Sequence, residues 1–341
     1  MTATQSREVP PSARSAGPGL EVLGLGNSCV DHLLTVPRFP GSGGKLPVRQ
    51  SRLQPGGQVA TAMVACARLG LRTGICLRTG ADAYGEFQRR ALAEAGVGLD
   101  FARVLPGVPS AVAYILVEES SGDRSVLWST DPRLAVQPEE LPAIGQGPLE
   151  NLRAVYVDGK DPAAARALAA DARAHGLPVI SDIDAPDPAG AGIIAEVTDF
   201  IGNEEFIAAF TDCGPALEAG LRQIAAHGPR MVCATLGPRG AVAFDGERIW
   251  PVAAFPIRAV DTTGAGDAFR AGYVYGLLAG WPLAARLDFA SATAALTCTG
   301  PGAQSALPTL PQVLALLATH HRPGPWDHGV PERACSPATA G

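Results

Sequence analysis

Asp261-Thr262-Thr263-Gly264-Ala265-Gly266-Asp267-Ala268-Phe269 is the stretch on which the reading of this chain turns. An apolar, strand-like run, Val252 to Val260, leads into it, and a helical pattern leads out. Gly264 and Gly266 let the backbone bend tightly and leave no Cβ in the way of a ligand. A helix starting at Ala265 adds unpaired N–H donors and the positive end of its dipole. The amides of Gly264, Ala265 and Gly266 then form a cradle suited to a phosphate. Asp267 falls in the first turn. A carboxylate beside a bound phosphoryl group is placed to take the proton of an attacking hydroxyl. The plainer alternative makes the glycines turn residues and Asp267 a favourable first-turn charge.

Around this stretch lies a chain of 341 residues, 47% hydrophobic and 18% charged. That suits one large globular domain with at most a small appendage. The formal net charge is −6 and no long basic run occurs, which argues against nucleic acid and anionic membranes as partners. No apolar run reaches the roughly 18 residues of a membrane span. The first residues, 1–19, lack an apolar signal segment and read as a disordered tail; 321–341, rich in Pro and Gly, read as a flexible one. Seven cysteines, an odd number with no C-x-x-C pair, read as reduced core residues of a cytoplasmic protein.

Periodicity gives a first buried strand at Glu21 to Gly26. Gly24-Leu25-Gly26 lacks the third glycine of a dinucleotide fingerprint, since Cys29 stands there. Asp31 follows the strand, where open α/β sheets place ligand contacts; a simple loop Asp is the alternative. Gly56-Gly57 opens a helix, Val59 to Leu69, either as a turn or as a place where a polyhydroxylated ligand meets backbone. Ile75 to Arg78 reads as a strand and Phe87 to Ala95 as a helix. Ser110 to Glu118 and Ser125 to Trp128 flank a hairpin turn. From Arg153 the alternation becomes regular. Strands are expected at 154–157, 179–183, 199–202 and 231–236, and a pair at 241–244 and 248–251. Helices are expected at Pro162 to His175, Ala268 to Leu278 and Pro282 to Thr297. Strands alternating with helices imply a mostly parallel sheet covered on both faces.

The run Asp261 to Gly272 resembles the C-terminal signature of the PfkB/ribokinase family of carbohydrate kinases. Gly56-Gly57 with Ala67-Arg68-Leu69-Gly70 is similar to its N-terminal signature. Gly80 to Gly85, Ala95-Gly96-Val97, Thr235-Leu236-Gly237 with Gly240, and Pro301-Gly302-Ala303 resemble further family blocks. The resemblance implies a ribokinase-like three-layer α/β sandwich over residues 20–320. It also implies a small β-sheet lid, built here from about 31–53 and 109–130. It implies an ATP-dependent kinase acting on a hydroxyl of a small sugar, with ATP and Mg2+ as cofactors and a monovalent cation (K+) as a further one. By the same resemblance Asp267 is the general base and the amides of Gly264, Ala265 and Gly266 the anion hole. Asp31, Gly56 and Gly57 bind the sugar. Asn203 serves the magnesium–phosphate region, and Thr235, Gly237, Gly240 and Gly302 the nucleotide. A homodimer formed through the lid is also implied.

Two departures stand out. Thr61 occupies the position where the family commonly carries a sugar-binding Asn. Phe206 occupies the Glu of its N-x-x-E motif, which leaves Glu204 and Glu205 as candidate metal carboxylates, or a magnesium held mainly through water and phosphate. Asp158, after the strand at 154–157, is a further sugar-facing candidate, with a plain turn Asp as the alternative. A nucleoside kinase of the same fold and a catalytically quiet sugar- or nucleotide-binding regulator remain open beside the sugar kinase.

Overall fold

The computed structural model describes residues 19–121, 123–184, 192–211, 213–214, 216–322 and 324–325. The tails expected at 1–19 and 321–341 therefore lie mostly outside the described residues. The chain opens with β1 (Val22–Leu25), β2 (Cys29–Val36), β3 (Gln50–Gly56), α1 (Gln58–Arg68), β4 (Thr73–Gly80) and α2 (Ala83–Glu94). It continues through β5 (Ala102–Leu105), β6 (Val112–Glu118), β7 (Arg124–Ser129), β8 (Ala154–Asp158), α3 (Pro162–Ala174), β9 (Val179–Asp182) and β10 (Asp199–Asn203). Then come α4 (Glu204–Thr211), α5 (Leu217–Ala225), β11 (Met231–Thr235), β12 (Ala241–Phe244), β13 (Ile249–Val252), α6 (Ala265–Leu278), α7 (Leu283–Thr297) and α8 (Leu310–Thr319).

The main sheet has the order β13-β12-β11-β10-β9-β8-β1-β4-β5. It is parallel except for the pairs β11–β12 and β12–β13. Parallel strands covered on both faces bury every residue, and β8 does so. Its Ala154 and Tyr156 join the core under α1, α6, α7 and α8, while Val155 and Val157 join the one under α3, α4 and α5. From β1 the chain builds outward through β4 and β5, then returns to the other side of β1 at β8. The strand order reverses there, and open α/β sheets place ligands outside the carboxyl ends of strands at such a point.

A second sheet, β3-β2-β6-β7, is the lid. Its cross-strand register sorts the side chains by face. Gln54, Asp31, Ala113 and Trp128 form one row, and Asp31, Ala113 and Trp128 of it line the main cavity. Leu53, His32, Tyr114 and Leu127 form the next row, on the opposite face because side chains alternate along each strand. His32 stacks on Tyr114 and meets the Tyr84 hydroxyl of α2 at 2.9 Å.

Several expectations need correction. The apolar run Val252 to Val260 is a strand only at Val252; Pro256, without an N–H, cannot continue a ladder. Helix α2 starts at Ala83, four residues ahead of Phe87, because the Asp82 carboxylate caps it by accepting the Gly85 N–H at 2.8 Å. Helices α4, α5 and α8 were not anticipated. In the α6/α7 core, Phe289 is fully buried, stacked on Tyr275 with centroids 5.2 Å apart and edge-on to Trp281. Phe289→Ala should cost about 3–5 kcal/mol in urea unfolding; a loss under about 1 kcal/mol would show that α6 and α7 repack freely.

Candidate active site

Helix α6 begins at Gly264, whose backbone is left-handed (φ 79°). A Cβ there would sit 2.6 Å from the Ala303 carbonyl oxygen, so only glycine fits. Asp261 organises the turn. One of its oxygens accepts the N–H (2.9 Å) and hydroxyl (2.7 Å) of Thr263, and the other the N–H of Gly302 (2.7 Å). Burial pushes the Asp261 carboxyl up, but these donors and the Arg124 charge outweigh it and hold it below its ordinary value. Gly264, Ala265 and Gly266 line a cavity of about 1380 Å³. The Ala265 N–H turns back to the Thr262 carbonyl at 3.2 Å, so this amide is already in use. Arg124, on lid strand β7, donates to the Thr263 hydroxyl at 2.7 Å and ties the lid to the turn.

Asp267 faces the same cavity from the first turn of α6. Burial pushes its carboxyl well above the ordinary range. The negative charge and hydrogen bond of Asp182 add to the effect, Asp184 adds further, and Arg270 opposes it. A carboxylate with raised affinity for a proton is the stronger base. Asp182 and Arg270 escaped the sequence reading. The i,i+3 spacing of Asp267 and Arg270 puts both on one helix face, and Asp182 ends a parallel strand; either signal could have marked them.

On the lid side, Asp31 is buried at 6% exposure, and burial pushes its carboxyl up. The Cys29 thiol donates to it at 3.2 Å. Gly56 lies directly against this carboxylate, where any Cβ would collide. Gly57 (φ 96°) caps α1 with its Cα against Asn27 and Ser28. Thr61 is buried and accepts from the Gln304 amide at 3.1 Å. The Cys29 thiol lies within electrostatic reach of Asp31, Lys160 and Asp267, which gathers these groups at one end of the cavity. Lys160 stands 3.9 Å from Asp184 and 5.7 Å from the Trp128 ring centroid.

Of the two expectations for Asp158, the geometry is that of the turn Asp, its carboxylate accepting the N–H two residues ahead. Asp158 is fully buried and accepts the N–H of Asn27 (2.8 Å) and of Lys160 (2.9 Å). It fastens β1 to β8 at the reversal of strand order, and it is not among the residues lining the cavity.

At the other end, Thr235, Gly237 and Gly240 line the cavity with an apolar wall that the sequence reading missed: Ile257, Ala294 and Ala295 among others. Asn203 caps α4, its Oδ1 accepting the Phe206 N–H at 2.7 Å. Phe206 itself points into the core against Phe200 and Phe210. Glu204 pairs with Arg239, and Glu205 lines the cavity. Gly302 does not line it; its N–H is taken by Asp261 and its Cα lies under Gln54. Among the described residues no group of three or more His, Cys, Asp or Glu side chains is arranged to hold a metal. Nor is any described helix long and apolar enough to cross a membrane.

A helix N-terminus and a half-buried carboxylate facing one cleft, under a β-lid at the strand-order reversal of an α/β sheet, fit a ribokinase-like phosphotransferase. Residues 20–310 match the model of the pfkB family carbohydrate kinases, and the chain belongs to that family. It is 32% identical over 303 residues to the ATP-dependent ribose-1-phosphate kinase of Halopiger xanaduensis, covering 88% of this chain and 98% of the relative. To the ribokinase of Haemophilus influenzae it is 28% identical over 304 residues, covering 86% and 97%. The structure of Arabidopsis thaliana ribokinase complexed with ribose and ATP shares the fold, with a TM-score of 0.77, 24% identity and coverage of 88% and 99%.

Burial pushes the Asp158 carboxyl up to about 7, against the two N–H bonds that favour its charge. The folded state therefore binds this proton more tightly than the unfolded chain. The resulting stability is full below the unfolded value, near about 4, and is lost as pH rises through about 7. Between about pH 4 and pH 8 the denaturation midpoint of the wild type should fall more than that of Asp158→Asn, which has no proton to lose. Parallel curves for the two would take Asp158 out of the pH dependence.

Proposed function

We propose that this carbohydrate kinase transfers the γ-phosphoryl group of ATP to a hydroxyl of a small sugar bound between Asp31 and Asp267. The observation carrying this reading is Asp267, half-buried in the first turn of α6 and facing the cavity beside Gly264 and Gly266. The acceptor oxygen gives its proton to the Asp267 carboxylate and forms a bond to the γ-phosphorus. The bond from that phosphorus to the bridging oxygen breaks, and its electron pair leaves on ADP. The helix terminus offers N–H groups to the phosphoryl oxygens, and the lid excludes water that would compete as acceptor. Asp31 accepts hydrogen bonds from two sugar hydroxyls at once, and Thr235, Gly237 and Gly240 hold the nucleotide. Glu205, near Asn203 on the cavity wall, is the carboxylate suited to a magnesium ion held mainly by water and nucleotide phosphates. When bound, that ion neutralises charge on the phosphates. Dependence on ATP fits a cytoplasmic setting.

One observation favours a sugar that already carries a phosphate. Lys160 and Arg124 put two cations on the cavity wall, and the Halopiger xanaduensis relative is named for ribose 1-phosphate. Assayed side by side, ribose 1-phosphate should then exceed ribose, fructose and nucleosides in kcat/KM, and Lys160→Ala should erase the preference. Equal use of ribose and its 1-phosphate would leave the free sugar as acceptor.

Asp267→Asn should lower kcat at least ~10²-fold while MgATP affinity holds. Turnover near that of the wild type would remove Asp267 from the mechanism. Asp31→Ala should cut kcat/KM for the acceptor about tenfold or more and leave the KM for ATP in place, because a charge-assisted hydrogen bond contributes about 1.5–3 kcal/mol. Equal losses for both substrates would retire its role as a sugar clamp. The lid's outer row, with Leu53, Tyr114 and Leu127 at 43%, 40% and 57% exposure beside the open edge of β7, is the surface through which two copies pair. Light scattering should give twice the chain mass; a monomer with full activity would exclude the pairing.

A further inference from the structure

Beneath Asp267 lies a buried polar cluster that the transfer step does not use directly. Asp182, at the end of β9, is fully buried, and three donors from three elements converge on its two oxygens. Arg270 of α6 reaches Oδ1 at 3.0 Å, and the Gln58 amide of α1 reaches the same oxygen at 3.3 Å. The Tyr156 hydroxyl of β8 donates to Oδ2 at 2.7 Å. Arg270, at 8% side-chain exposure, is fixed from behind by the Ile201 carbonyl of β10, which accepts its Nε–H at 2.9 Å. Its distance to Asp267 is longer, 3.9 Å.

The contrast between 3.0 and 3.9 Å is the informative quantity. A guanidinium bonded directly to a general base would hold that base in its charged form and weaken it. Here Asp182 takes the short contact, so Arg270 compensates the buried charge without occupying the oxygens of Asp267. The other charged or titratable groups acting on Asp267 or Arg270 include Asp184, beyond β9, Tyr156, the Cys29 thiol on the Asp267 side and the Cys233 thiol of β11 on the Arg270 side. Lys160 acts on the Cys29 thiol and pairs with Asp184 at 3.9 Å.

We propose that Asp182 and Arg270 are positioning residues that aim the Asp267 carboxyl at the acceptor and set how readily it takes the proton. The pair acts through Asp267 and rests on the reading of that residue as the base. Asp182 is the intercepting carboxylate, and Arg270 is the counter-charge that makes a second buried carboxylate tolerable. The i,i+3 spacing puts Asp267 and Arg270 on one helix face, and the Ile201 carbonyl and Asp182 restrain the guanidinium there.

The test is the pH dependence of kcat/KM for the acceptor at saturating MgATP, between about pH 5 and pH 9, in the whole protein. The acid limb, where activity falls as Asp267 takes up a proton, is the readout. In Asp182→Asn a neighbouring negative charge is lost and Arg270 is released toward Asp267, so the limb should move to lower pH by about one unit or more, with a lower plateau. In Arg270→Gln it should move to higher pH, and Arg270→Lys, which keeps the charge, should bring it most of the way back. A role confined to packing would lower activity and melting temperature without moving the limb in opposite directions. Limbs that stay in place, or move together, in folded variants overturn the proposal. If one of Asp182→Asn and Arg270→Gln does not fold, the limb of the other decides; if neither folds, the pair is structural and the proposal fails. Asp267→Asn run beside them separates the two questions: full activity there defeats the base itself, whereas loss there with unmoved limbs defeats only the pair.

Discussion

Gly264 stands at φ 79° with its Cα pressed against the Ala303 carbonyl, and that contact fixes where α6 begins. Everything at the site is referred to that origin. One residue earlier or later, the first turn would rotate by about 100° and carry Asp267 away from the cavity. The loop is held from three directions: Asp261 binds Thr263 and Gly302, Arg124 reaches down from the lid, and Ala303 closes from behind. Such redundancy is what keeps a left-handed residue and a set of helix-terminal N–H groups in place before any ligand arrives.

The sheet supplies the second frame. Its order reverses between β1 and β8, and Asp158 bonds the backbone on both sides of the gap. The acceptor end of the cavity is therefore built on a fastened seam, and the lid above it is tied down by Arg124 to Thr263 and by His32 to Tyr84. Buried carboxyls recur throughout: Asp31, Asp158 and Asp182 are buried, and Asp267 is half-buried beside them. The three buried ones are tolerated because donors meet them, yet the donors differ. Backbone N–H groups meet Asp158, a thiol meets Asp31, and a guanidinium, a phenol and an amide meet Asp182. Environment, and not residue type, divides a structural carboxyl from one able to exchange a proton.

Much of this was legible in the chain. The Asp261 to Phe269 stretch carries its own geometry, because two glycines ahead of a helix and an Asp in its first turn are local facts. The alternation of β8 and the Asp161-Pro162 start of α3 are equally local. The lid was placed by the family resemblance, in stretches that also do not fit the core pattern. Other elements were not legible. Helix α4 follows β10 without a break, and its one local signal, the Asn203 cap, was assigned to the magnesium–phosphate region instead. Phe206 looked like a missing metal ligand; its ring belongs to the core beside Phe200.

The sequence by itself determined the fold class, the family signature and the place of Asp267 in the first turn of a helix, since these depend on spacings of a few residues. Only the tertiary structure decided the partners of that carboxylate. Asp182 and Asp267 are 85 positions apart in the chain, and Asn27 and Asp158 are separated by 131. No periodicity relates residues at such separations. Their contact depends on strand order and on how the helices seat against the sheet, which the packing of the whole domain settles. For the same reason Asp158, a turn Asp or a sugar ligand by sequence, proved to be a fastening between strands.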